Sequence, residues 1–177
     1  MRFTMMILLA AELHAQCEHT VTVYVRGLAV VPGPVLYEAQ KVADQILSSA
    51  DVRIDWRRGA PTGLLVPGEK MIIVDMAAAA PKRLSPVALA EALPYERVHI
   101  TVFYDRVRKV TDRVAPARLL AHVMVHEITH ILQGIDRHSE SGIMKAHWRR
   151  EDYTAMARSP LPFTSTDIAL IHDGMAK

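Results

Sequence analysis

Five consecutive residues, His126, Glu127, Ile128, Thr129 and His130, spell H-E-x-x-H. On an α-helix four residues turn the chain by about 400°, so these two imidazoles stand on one face a turn apart, close enough to share one zinc ion. Glu127, one residue along, is placed to take a proton from a water activated by the metal rather than to bind the metal. The chain holds nine histidines, and at its own composition the chance expectation for this pattern is roughly 0.02, so coincidence is a weak explanation. A catalytic zinc takes three protein ligands and keeps one position for water, so two histidines do not complete a site. Gly134 ends the helical pattern and lets the chain turn back in a left-handed conformation. His138 follows that turn and is the first candidate for a third ligand. Asp136, a carboxylate after the same turn, is its rival, and Glu140 and His147 stand behind both.

The motif needs a helix under it. Residues 114–134 form the longest helical pattern, with Pro116 in the first turn and Gly134 just past the end. Apolar Leu119, Leu120, Val123, Val125, Ile131 and Leu132 surround the motif. Ahead of it, residues 19–26 alternate as a strand, and 35–50 repeat apolar residues at helical spacing behind Pro34. A second strand starts at Val52 and breaks over 58–63; 71–74 is a flatter apolar run, and 98–104 is rich in β-branched and aromatic residues. Residues 77–94 have no firm period and are left open. Residues 105–112 read as a charged, solvated connector. After the motif, 149–152 read as the capped start of a helix that turns Tyr153, Met156 and Ala157 inward, and 164–167 as the start of a last short helix. This order implies an α+β fold: a mixed twisted sheet, an N-terminal helix, the motif helix and a small helical C-terminal part.

Composition sets limits on the rest. At 177 residues, with 21 Lys and Arg against 19 Asp and Glu for a net charge of +2 and with half the residues hydrophobic, the chain reads as one packed domain. The small, spread excess of base argues against a nucleic-acid partner. Cys17 is the sole cysteine, so no intrachain disulfide or multi-cysteine metal site forms, and a metal must be held by His, Asp or Glu. Arg2, the apolar stretch 3–11 and Ala15 read as a secretory signal of residues 1–15, despite polar Glu12 and His14. That reading leaves 16–177 as the domain, secreted or periplasmic, with no stable membrane insertion after signal removal. The oligomeric state is not readable.

Other residues have plainer readings. His122, one turn before His126, reads as a packing or hydrogen-bonded histidine; His19, His99 and His172 as non-functional; Trp56 and Trp148 as core anchors. Met144 is either core filler or part of a turn beneath the site.

The run from His126 to Met144, HEITHILQGIDRHSESGIM, resembles the zinc site of the metzincin metallopeptidases, where H-E-x-x-H is followed by a glycine turn, a third ligand and a methionine-containing turn. It is similar to small secreted bacterial members with the spacing H-E-x-x-H-x-x-x-G-x-x-x-H. The commoner pattern is H-E-x-x-H-x-x-G-x-x-H; here Gly134 comes one residue later and His138 two later, and strict counting lands on Asp136. The resemblance implies a metzincin-like (zincin) fold with zinc held by His126, His130 and His138, and with Met144 in the Met-turn. It implies peptide-bond hydrolysis by a zinc-activated water with Glu127 as general base. It also implies a protein or peptide substrate lying extended along a strand edge between residues 82 and 93. A catalytically inactive, zinc-stabilised binding protein of the same fold, and a zinc hydrolase of a non-peptide amide or ester, remain the alternatives.

Overall fold

Val21, Val23 and Val25 alternate with Thr20, Thr22 and Tyr24, and that period of two yields strand β1, His19–Arg26, with the three valines fully buried. The structure, a computed structural model, describes residues 19–62, 70–110 and 114–177. The signal reading of residues 1–15 and Cys17 fall outside the described residues. After β1, helix α1, Gly33–Ser48, carries its proline in the first turn and buries Leu36, Ala39, Val42, Ala43, Ile46 and Leu47 along one stripe. It begins and ends about two residues before the sequence pattern suggests. Strand β2, Val52–Arg58, follows, then β3, Lys70–Ala77, which runs longer than its apolar core of 71–74.

The segment left open in the sequence, 77–94, contains a three-residue strand β4, Ala90–Ala92, and leads to β5, His99–Phe103. The sheet order is β2-β1-β3-β5-β4, parallel throughout except for β4, which pairs antiparallel with β5 and forms one edge. Val21, Val23, Val25, Ile72, Val74, Met76, Ile100 and Val102 share one core cluster with the buried residues of α1 and of the motif helix. One sheet face is therefore covered by two helices.

The solvated-connector reading of 105–112 is overturned for its first part. Tyr104–Lys109 is a short helix, α2, that buries Tyr104 and Val107. Only two residues at a spacing of three point inward, and the charged remainder hides the period from composition.

Helix α3, Pro116–Gln133, carries the motif. Fourteen of its eighteen residues are buried, so it is a central helix rather than a surface one. Leu119, Leu120, Met124 and Ile128 are completely enclosed, each contributing about 1.5–3 kcal/mol of transfer free energy. A helix seated this firmly holds its side chains to fixed directions, which a metal site requires. Helices α4, Arg150–Arg158, and α5, Ser165–Met175, complete the chain. Met156 is buried as expected, but Ala157 is exposed: α4 is short and presents a narrow inward stripe. The last helix, expected to be short, runs for eleven residues. Among the described residues no helix is long and apolar enough to cross a membrane.

Candidate metal centre and cleft

His126 and His130 leave α3 one turn apart, both buried. The Nδ1 of His126 lies 2.9 Å from the Ile143 carbonyl, and the Nδ1 of His130 lies 3.2 Å from the Ile135 carbonyl. A carbonyl only accepts, so each Nδ1 carries the proton and each Nε2 a lone pair. The two Nε2 atoms are 3.1 Å apart. With no proton between them, two lone pairs at that distance repel, and a shared cation is what converts the repulsion into attraction.

Gly134 supplies the turn that brings the third imidazole back. Its φ of 67° is left-handed, its N–H donates to the His130 carbonyl at 2.9 Å, and a Cβ there would lie 2.8 Å from the Arg97 guanidinium. The same turn swings the Ile135 carbonyl onto His130. His138 then packs its ring 5.3 Å from His126 and 4.8 Å from His130, centroid to centroid. One ring nitrogen from each of His126, His130 and His138 falls within 4.8 Å of the others. Asp136, Glu140 and His147 are exposed and outside that group.

These residues fit a zinc ion by their chemistry: three nitrogen donors, two with their second nitrogen already fixed by a backbone carbonyl. Burial, and then neighbouring His130, holds His126 down to about 3; burial, and then His138, holds His130 below the usual imidazole range. Neutral rings with available lone pairs are what a metal needs.

Glu127 projects from the same turn into the cleft. Burial, and then the Asp136 carboxylate, pushes its carboxyl up to about 8, against a hydrogen bond from the Ala92 N–H. That contact ties the motif helix to β4. The bonds Phe103 N–H to Leu89 carbonyl and Leu93 N–H to His99 carbonyl place residues 89 and 93 in the hydrogen-bonded positions of the ladder. Alternation then turns the backbone groups of Ala90 and Ala92 away from β5 and toward the cleft. The cleft encloses about 520 Å³. Its floor is α3 at Val123, His126, Glu127 and His130; Leu89, Ala90 and Ala92 form one wall, and Lys145, His147, Trp148 and Tyr153 line the other. The strand edge expected within 82–93 is thus β4.

Beneath the histidines runs the turn 141–145. Met144 and Ile143 are fully buried. The Ile143 carbonyl accepts from both His126 Nδ1 and Trp148 Nε1, and its N–H donates to the Pro162 carbonyl at 3.0 Å. Gly142, φ 74°, makes that approach possible, since a Cβ there would sit 2.2 Å from the Pro162 oxygen. The turn that holds Met144 therefore orients His126 through the backbone carbonyl of Ile143. His122 is structural: its Nδ1 donates to the Arg118 carbonyl at 2.7 Å and its Nε2 accepts the Leu161 N–H at 3.0 Å. Trp148 packs against the core cluster, as the core-anchor reading has it, and takes a second role besides. It is half-buried, lines the cleft and sets its ring edge-on 5.5 Å from His126. A tryptophan carries no sequence signal that separates these roles. The Ala92 N–H is invisible for the same reason, being backbone.

Compared with solved structures, the chain is similar to archaemetzincin from Methanopyrus kandleri, with a TM-score of 0.62 and 14 % identity over 93 % of this chain and 100 % of that one. At that identity the likeness is one of fold, and it assigns the chain the mixed-sheet, metzincin-like α+β architecture. No family model and no curated protein matches the sequence.

Proposed function

We propose that the chain is a zinc-dependent metallopeptidase. The observation that carries the reading is the convergence of three imidazoles, with the Glu127 carboxyl beside them, in a cleft whose wall is the edge strand β4. His126, His130 and His138 would hold the ion. When bound, zinc supplies Lewis acidity, acidifying water and polarising a carbonyl. Glu127 would be the general base, its carboxyl, at about 8 without a cation, ionised by the positive charge of a bound ion beside it. It takes the proton of the attacking water and passes it to the leaving amine, and the Ala92 N–H orients it. An extended peptide pairs with the outward N–H and carbonyl of Ala90 and the carbonyl of Ala92, gaining affinity from main-chain hydrogen bonds. Trp148 and His147 form the opposite wall, against which substrate side chains rest.

The purified chain is expected to bind one zinc ion and to cleave an unfolded protein. Glu127→Ala is expected to keep the zinc and to lose cleavage by at least ~10²-fold, the lower range for removing a general base. Cleavage that survives either chelation or Glu127→Ala overturns the mechanism. Zinc binding without cleavage of any peptide points instead to an inert clamp or to a different amide or ester substrate.

A further inference from the structure

His138 differs from the other two histidines in how it is held. His126 and His130 are fixed by a buried helix and by a carbonyl on each Nδ1. His138 lies on an irregular loop, is exposed, and among the described residues nothing hydrogen-bonds its ring. Its direction is therefore set by the backbone on either side of it.

Both sides lead to one buried carboxylate. Asp167, in the first turn of α5 and without exposed surface, accepts from Ser139 Oγ at 2.5 Å and from Arg137 Nη1 at 3.1 Å, both on Oδ1. Arg137 and Ser139 are the residues that flank His138, and Arg137 Nη1 also reaches Ser139 Oγ at 3.2 Å. The Asp167 carbonyl accepts from Gln133 Nε2, at the end of α3, at 3.2 Å. The loop that carries His138 is thus fastened to one residue of α5 at its beginning and on both sides of the imidazole. The other oxygen, Oδ2, serves a different purpose: it accepts from Thr164 N and Thr164 Oγ1 at 2.9 and 2.7 Å and closes the capping box of α5.

We propose that Asp167 is a positioning residue for the metal centre, holding His138 over His126 and His130 through Ser139 and Arg137. The proposal rests on the zinc reading above. It asks more of Asp167 than helix capping, and because the two tasks use different oxygens they can be separated. Asp167→Asn keeps one acceptor for the cap and presents an amide N–H₂ to Arg137 and Ser139, which donate rather than accept toward that oxygen. Thr164→Ala does the reverse, removing the cap and leaving the loop side intact.

The test is zinc affinity of the full chain, measured by competition with a chromophoric chelator using zinc ions alone, beside the visible spectrum of the cobalt(II)-substituted protein. Asp167→Asn and Ser139→Ala are each expected to weaken zinc by about 10- to 100-fold, the range for groups that orient a ligand, and to lower the cobalt absorption as His138 leaves the ion. Thr164→Ala is expected to lower the melting temperature while keeping affinity and spectrum. Wild-type affinity in both Asp167→Asn and Ser139→Ala overturns the positioning role alone; should Asp167→Asn fail to fold, Ser139→Ala decides. A wild-type chain that binds no zinc overturns the metal reading, and the positioning role with it.

Discussion

What favours His138 over Asp136 as third ligand is the path of the chain after Gly134. Helix α3 runs to Gln133, and Gly134 reverses the backbone so that Ile135 spends its carbonyl on His130. Asp136 then lies at the cleft lining, near enough for its charge to raise Glu127 and His130 but outside the group of three ring nitrogens, and the chain needs two more residues to bring an imidazole over the site. His138→Ala is therefore expected to lose zinc by more than the ~10- to 100-fold typical of a merely supporting group, whereas Asp136→Asn retains it. Metal analysis of the two variants after dialysis checks this; equal zinc in both removes His138 from the ligand set. The pair and the glycine were legible because their spacing encodes helix geometry directly. The choice between His138 and Asp136 was not, because it turns on whether the helix continues through Gln133, and one residue of helix is beyond what periodicity resolves. Asp167 was legible only as part of a helix start, Thr164 to Asp167, since its second task spans 28 residues of sequence to Ser139.

At the level of elements, α5 packs on α3, which carries the motif, and its fit depends on a glycine inside the helix. A Cβ at Gly174 would lie 1.9 Å from the Leu132 carbonyl oxygen on α3. In an exposed helix Gly→Ala stabilises by about 1 kcal/mol through propensity. Here the contact is with backbone, which does not step aside, and overpacking of this kind costs about 1–3 kcal/mol. The clash outweighs propensity, so Gly174→Ala is expected to destabilise the chain by up to about 2 kcal/mol, read as a lower urea midpoint; an unchanged or higher midpoint means that α5 is not seated on α3 as described. Strongly periodic elements were readable in advance: β1 at its full length, α1 within two residues, α3 with its glycine stop. The short ones were not. Three residues of β4 and two buried residues of α2 are too few to show a period, yet β4 supplies both the cleft wall and the N–H that holds Glu127.

Across the whole molecule, most of the groups that resist protonation lie in the part of the chain after α3 begins, with Glu127, raised by burial and by Asp136 to about 8, the exception there. Burial lowers His122, which holds the Leu161 N–H as a neutral acceptor. Burial alone would raise Asp152, but hydrogen bonds from the Arg149 N–H and Lys145 outweigh it and hold it low. Asp167 behaves alike, burial being outweighed by Ser139, Thr164 and Arg137. In the α1–β2 layer Asp44 goes the other way, raised by burial against a bond from Trp56. A group whose folded pKa is depressed contributes stability that is complete above its unfolded pKa and is lost as pH falls through the folded value. For His122 the loss begins below about 6.5, as it does for His126 and His130, and for Asp152 and Asp167 below about 4. Asp44 and Glu127, both raised, act in the opposite direction, and the three histidines together outweigh them between about pH 7 and 5. Acid therefore acts on the buried histidines first, His122 among them with its bond to the segment 160–163 that backs the turn holding Met144, and only later on the clamp on the loop of His138. The urea midpoint of the zinc-free chain is expected to fall between about pH 7 and 5. In His122→Gln, whose amide oxygen accepts the Leu161 N–H without titrating, the fall is expected to be shallower. His126 and His130 titrate in both proteins, so the difference between the two profiles isolates His122, and parallel profiles would show that its bond to Leu161 does not couple the fold to acid.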